Sequence, residues 1–194
     1  MGERLSIPYE APQGRRVNAI GAYFTHGPLS GQFEFETYAR LPESRAKKRR
    51  VSLEEQAAAH GLSVEEVGPI DSERYLRFVW KIAGRPEVYP EDWHRERELV
   101  IWVDNYSVHK SEPVRQELAA LERAGIGICY LPSYTPELSK IEPIWQDVKY
   151  HEMPQRSHTQ VQELKQATDE ALARKAAGLL AARTETANLH RRAA

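Results

Sequence analysis

The sequence predicts an α/β fold, a mixed sheet flanked by helices, from three observations. Two short segments in the first forty residues are rich in β-branched and aromatic residues about a turn. Two continuous apolar runs further on are joined by a helical pattern, and amphipathic helical spacing recurs before and after them. With 194 residues the chain fits one domain around one core.

The elements follow in order. Residues 16–26, within "RRVNAIGAYFTHG", and residues 31–39, with Phe33, Phe35 and Tyr38, flank the turn-forming "HGPLSG" and predict an antiparallel hairpin. A charged insert near 42–70 follows, in which Ser52 and Glu55 form a capping-box pattern for a short helix that Gly61 can end. From Asp71 onward, Tyr75, Phe78, Val79 and Ile82 fall on one face of a helix that stops near Gly84, and "RPEVYPEDW" is a loop. Residues 98–104 are apolar up to Asp104 and too short for a helix, which predicts a strand buried on both faces. Ser111 caps a helix carrying Val114, Leu118 and Leu121, closed at Gly125, and residues 126–131 form a second apolar strand. A strand–helix–strand order implies parallel strands, so the loops after Asp104 and Leu131 share the carboxyl edge, where open α/β sheets bind ligands. "EPIWQDVKYHEM" predicts a helix with Pro143 at its first position and Pro154 just past its end. Residues 154–194 form a helical tail with Val161, Leu164, Ala171 and Leu172 on one stripe.

Charge and cysteine content bound the function. With 27 basic and 28 acidic residues, net charge −1, the whole chain is not a polycation, so any nucleic-acid contact must come from local patches. The single Cys129 cannot form an internal disulfide, and no run approaches the roughly 18 apolar residues of a membrane span. These features predict a cytoplasmic protein with no membrane partner.

Asp104 and Glu142, separated by 37 residues, are the first candidates for chemistry. Two carboxylates converging at a sheet edge make a hard-oxygen site suited to Mg2+ or Mn2+, the ions of phosphoryl transfer. Structural roles compete: Asp104 can close an Asx turn, and Glu142 can complete a capping box with Ser139 or offset the positive end of a helix. Composition alone favours these structural roles.

The wording around the pair adds more. "VDNYSVHKS" and "LPSYTPELSKIEPIWQDVKY" resemble the catalytic core of bacterial insertion-sequence transposases of the mariner superfamily, DDE endonucleases with an RNase H-like (integrase-like) fold. Asp104, Asn105 and His109 match the first block of that family. Leu131, Pro132, Tyr134, Pro136, Glu137, Leu138, Ile141, Glu142, Trp145 and Lys149 match the second, and "RRVNAIGA" looks like the second core strand. The resemblance covers residues 1–153. It implies DNA cleavage at transposon ends and transfer of the 3′-OH strand to target DNA, with Asp104 and Glu142 each holding one metal, Asn105 and His109 in support, and a homo-oligomer or an intact transposase as possible partner. Lys149 and the basic run Lys47, Lys48, Arg49 and Arg50 are candidate phosphate contacts, and a solvated insert is the plainer reading of that run. Bound to DNA, such a protein would lie on the bacterial nucleoid.

Three departures matter. Ser139-Lys140 stands where the family has Asn-Pro, and the spacing of 37 is slightly long. More seriously, the family's bridging aspartate lies on a strand upstream of "RRVNAIGA", whereas residues 1–70 contain no aspartate, and Glu3 and Glu10 fall in a linker. A bridging carboxylate holds two ions about 3.5–4 Å apart. The resemblance therefore implies an N-terminally truncated frame, without the first core strand, with weakened metal binding and inactive alone. The alternatives are a DNA-binding or transposase-interacting remnant, or a nuclease in which another carboxylate substitutes.

Overall fold

The computed structural model describes residues 15–41, 51–133, 135–153 and 158–192, and the side chains up to 185 within the last helix. The hairpin forms as the turn chemistry requires: β1 (Arg16–Tyr23) pairs antiparallel with β2 (Phe33–Arg40), from Arg16 opposite Arg40 to Tyr23 opposite Phe33. The turn closes with Gly31 donating to the Phe24 carbonyl at 2.7 Å, its φ of 83° open only to a residue without a side-chain clash.

Helix α1 (Leu53–Ala59) carries the expected capping box: Glu55 N–H donates to Ser52 Oγ at 3.1 Å, and Ser52 N–H to Glu55 Oε2 at 3.3 Å. Helix α2 (Ser72–Ile82) starts on Asp71, whose side chain accepts from Arg74 N–H at 2.9 Å. Strands β3 (Leu99–Val103) and β4 (Ile126–Tyr130) run parallel, from Leu99 opposite Ile126 to Val103 opposite Tyr130, joined by α3 (Glu112–Arg123). Helices α4 (Glu142–Asp147) and α5 (Val161–Arg192) complete the order. Small sheets flanked by helices give the α/β class expected. Among the described residues the strands form two ladders, β1–β2 and β3–β4, with a cleft between β1 and β3.

Two cores hold the layers together. Leu99, Ile101 and Val103 of β3 pack with Tyr75 and Val79 of α2 and Val114 and Leu121 of α3. Phe33 of β2 packs with Ile144 of α4, Val148, and Ala171 and Leu172 of α5, two residues of the stripe expected in the tail. Val161 joins a smaller cluster with Ala39, Ala57 and Val67.

The structure corrects three expectations about local structure. β3 is buried on one face only: Val103 is 8 % exposed, while Val100 and Trp102, pointing the other way, are 54 % and 63 % exposed. Helices α2 and α3 cover one side, and no described element covers the other. Ser111 sits at the N-cap position of α3 without capping through its side chain. Its hydroxyl instead donates to the Val108 carbonyl and accepts from Ser72, both at 2.8 Å, which ties α3 to α2. The helix at 142 begins at Glu142, with Pro143 second, and passes into a π-turn over Val148–Glu152.

Side-chain alternation along β1 fixes what lies on each of its faces. Ile20 packs toward the α2–α3 core, so Gly21 faces the opposite side. A Cβ at Gly21 would come within 2.8 Å of Trp145 Cη2 and 2.9 Å of Phe33 Cε2, both rigid rings. Gly21→Ala is expected to cost about 1–3 kcal/mol by overpacking, read as a lowered urea midpoint, and Trp145→Phe in the same chain to restore part of it.

Glu36 of β2 anchors the hairpin to α2. It accepts from Lys81 Nζ at 2.9 Å and from the Tyr38 hydroxyl, which in turn accepts from Arg77 at 2.9 Å. Burial would raise the Glu36 carboxyl, but the hydrogen bonds from Tyr38 and Lys81 and the charges of Lys81 and Arg77 outweigh it and hold it below the usual carboxylate range. A depressed folded value stabilises above the unfolded value, about 4.3, and the stabilisation is lost as pH falls through the folded one. Glu36→Gln is expected to lower stability by roughly 1 kcal/mol at neutral pH, with the gap to wild type closing in urea titrations repeated toward pH 3.

Candidate functional site

The site begins where the β3–β4 ladder ends. Leu131 N–H donates to the Val103 carbonyl at 2.8 Å, and the two chains then part. Asn105 spans the opening: its Nδ2 donates to the Leu131 carbonyl at 2.7 Å, and its Oδ1 accepts from Lys110 Nζ. The loop after β3 is thereby held to the loop after β4.

Asp104 is the first residue beyond β3. Its Oδ1 accepts from Tyr106 N–H at 2.9 Å, an Asx turn, and lies 2.9 Å from His109 Nδ1. A single 3₁₀ turn over Ser107–Lys110 folds His109 back onto the aspartate. Tyr130 holds that turn by donating its hydroxyl to the His109 carbonyl at 2.8 Å, and the Tyr75 ring packs on the imidazole with centroids 4.6 Å apart. His109 is thus largely enclosed, at 18 % side-chain exposure, whereas Asp104 is 64 % exposed with Oδ2 open. One oxygen builds the turn, and the other has no partner among the described residues.

Glu142 enters from the other strand end. Its N–H donates to the Ser139 carbonyl at 3.2 Å, and its carboxylate has no hydrogen-bond or ion-pair partner among the described residues. The possible Ser139–Glu142 capping box does not form, because Ile141 occupies the N-cap position with helical backbone angles. Asp104 and Glu142 line one cleft of about 1120 Å³ between β1 and β3, together with His109, Tyr75 and Lys140. Asn105 is turned to the β4 loop. Lys149 lies in the π-turn with Nζ 5.1 Å from the Tyr150 ring, away from the cleft lining. Lys47, Lys48, Arg49 and Arg50, like Glu3 and Glu10, fall outside the described residues.

Among the described residues no three carboxylate, histidine or cysteine groups converge as a metal cluster. Three carboxylates line the cleft, Glu98 before β3, Asp104 after it and Glu142 at the start of α4; of these, Asp104 and Glu142 follow the carboxyl ends of β3 and β4.

Family comparison decides the class. The family model described as DDE superfamily endonuclease matches residues 32–165, about two thirds of the chain, and the match includes Asp104 and Glu142. The chain belongs to the DDE superfamily endonucleases. No curated protein matches it. Membership in the DDE superfamily endonucleases implies a DNA substrate, and divalent metals generally serve the enzymes of this superfamily. Among the described residues of this endonuclease domain, no helix is long and apolar enough to cross a membrane.

Two lining residues escaped the sequence reading. Tyr75 falls on the apolar stripe of α2, which masked its polar tip; the hydroxyl is buried with no hydrogen-bond partner among the described residues, and burial, with Tyr130 and Asp104 nearby, pushes it well above the usual phenol range. Lys140 departs from the family wording, and its place beside Glu142 comes from the turn before α4. The Asn105 bridge carries a measurable consequence. Asn105→Ala is expected to cost about 1–2 kcal/mol in chemical denaturation, because it leaves the Leu131 carbonyl without its donor and frees Lys110.

Proposed function

We propose that this endonuclease domain is the catalytic core of a bacterial insertion-sequence transposase of the mariner superfamily, acting on transposon ends and then on target DNA. The observation that carries the reading is that Asp104 and Glu142, distant in sequence, line one cleft at the carboxyl edge of β3–β4 inside the family match. Residues 1–153 are the core in this reading. Residues 154–194 are the helical tail, buttressing the core where Ala171 and Leu172 pack with Phe33.

The chemistry of these donors suits a divalent ion. Mg2+ is commonly held by one or two carboxylates, with water and substrate phosphate oxygens filling the other positions. Asp104 Oδ2 and both oxygens of Glu142 are free of described partners and supply such a pair. When bound, Mg2+ or Mn2+ activates water and stabilises the leaving oxygen of the phosphodiester. His109 and the Tyr106 amide fix the Asp104 carboxylate, so little side-chain freedom remains to be lost on binding. Lys140, Lys149 and the basic run Lys47–Arg50 supply charge for the DNA backbone. Two carboxylates without a bridging third bind metal weakly, so this reading expects little or no turnover from the chain alone.

The two-carboxylate set also favours a second reading, a catalytically inactive DNA-binding protein that associates with itself or with intact transposase. In both readings the protein acts in the bacterial cytoplasm, on the nucleoid when DNA-bound. Nicking of supercoiled plasmid separates the readings. The first expects slow nicking with Mn2+, weaker with Mg2+, reduced about 100-fold or more by Asp104→Ala and by Glu142→Ala separately. Undiminished nicking in both variants removes the site. Absence of nicking at high protein concentration, with retained DNA binding, leaves the second reading.

A further inference from the structure

We infer that Arg16 and Arg40, facing each other across the hairpin, form a binding site for the phosphodiester backbone of DNA at the mouth of the cleft. The two are direct partners in the antiparallel register of β1 and β2, so their side chains stand on one face with Cβ atoms about 4.5–5.5 Å apart. Both are exposed, and neither has a side-chain hydrogen-bond or ion-pair partner among the described residues. Like charges directly opposite on neighbouring strands destabilise a sheet. On the same face of the hairpin Glu36 accepts from Lys81, yet the charge of the arginine pair is left standing. An anion brought by a ligand is what this pair lacks.

Contacts within the fold carry the pair to the carboxyl edge. Asn18, two residues along β1, donates its Nδ2 to the Gly68 carbonyl at 2.9 Å, and Gly68 N–H donates to the Ala39 carbonyl at 2.9 Å. Asp71, three residues on, caps α2, whose first residue Ser72 bonds Ser111 at 2.8 Å, directly after the 3₁₀ turn that carries His109. The end of the hairpin that holds Arg16 and Arg40 thus adjoins the loop that holds Asp104. Arg40 lines the same cleft as Asp104 and Glu142. Acids of the adjoining segment are engaged: Asp71 in the cap, and Glu66 with Ser63 N–H at 3.0 Å and Lys165 at 3.4 Å. Lys140, in the turn before α4, is a further cation of the lining without a partner among the described residues, so two separate elements bring unspent positive charge to the cleft.

The matching chemistry is a phosphodiester. A guanidinium presents a planar fork of donors that fits phosphate oxygens, and two of them this close hold one phosphate between them. In the sequence, Lys47, Lys48, Arg49 and Arg50 come within ten residues of Arg40, so the basic run continues the chain from this end of the hairpin. Arg16 lies outside the residues that the family model matches, and the match gives the pair no role. The assignment rests on DNA as the substrate of the cleft, but on neither the metal nor the transposase reading.

Fluorescence anisotropy of the full chain with a labelled DNA duplex of about 30 base pairs, in metal-free buffer over a series of salt concentrations, tests it. Arg16→Gln and Arg40→Gln are each expected to weaken binding about fivefold or more at roughly 0.1 M salt, and to flatten the slope of log K against log salt by about 1. The same two variants are expected to raise the urea midpoint of the free chain, because each removes one of two facing like charges. Lower affinity with higher stability is a combination that a merely structural role does not give. Arg123→Gln, which takes the same charge from the last turn of α3, is the control and is expected to leave the slope as it is. Affinity and slope that are unchanged in the two variants, or changed no more than by Arg123→Gln, overturn the proposal. So does a lowered urea midpoint in either, which would mean that another part of the chain neutralises the pair. The nicking assay reads the metal site separately, so either idea can fail without the other.

Discussion

The parallel pairing of Leu99–Val103 with Ile126–Tyr130 governs where chemistry can sit on this molecule. Parallel neighbours need a crossover, and α3 supplies it, burying Val114 and Leu121 against the strands it joins. Both chains must then leave the sheet at the same edge. Asp104 follows one strand end directly, and Glu142 reaches the same cleft from the other through the turns at 136–141. A register slip of one residue would turn Val103 out of the core. The position of Asp104 is thus enforced by the packing of its neighbour, with no separate device needed to place it.

The structural and chemical roles considered for Asp104 prove compatible. Oδ1 accepts from the Tyr106 amide and lies by His109, which makes the turn, and Oδ2 has no partner among the described residues. An aspartate that both ends a strand and offers an oxygen to the cleft is held on one side only: Oδ1 meets the Tyr106 amide and the His109 imidazole, and Lys110 is engaged by Asn105. Glu142 is held differently. It has backbone restraint from the start of α4 but no described side-chain partner, so its carboxylate keeps the rotamer freedom that Asp104 has lost.

The elements legible in the sequence were those set by local signals. The capping box at Ser52, the apolar stripe of α2, the hairpin around "HGPLSG" and the parallel pair all depend on residues close in sequence or on a topological rule. What local pattern could not carry was the environment on each side of an element. Val100 and Trp102 belong to an apolar run that looks buried on both faces, and their exposure follows from what lies opposite the strand. Ser111 has the right identity for a cap, yet a tertiary partner, Ser72, competes for its hydroxyl. Asp104 and Glu142 stood out by the wording around them, whereas Glu98 did not and Tyr75 was hidden on an apolar stripe, its hydroxyl without a partner among the described residues.

Tyr75 also reaches the carboxylate site. Its ring packs on His109 at 4.6 Å, and His109 Nδ1 lies 2.9 Å from Asp104, so three side chains run from the wall of the cleft to the exposed carboxylate. Tyr75 is buried in the core that α2 and α3 build against β3, so its ring cannot shift without disturbing that packing. The ring therefore restrains His109, and His109 with the Tyr106 amide restrains the rotamer of Asp104. The orientation of the carboxylate is traceable in this way to the apolar stripe of α2.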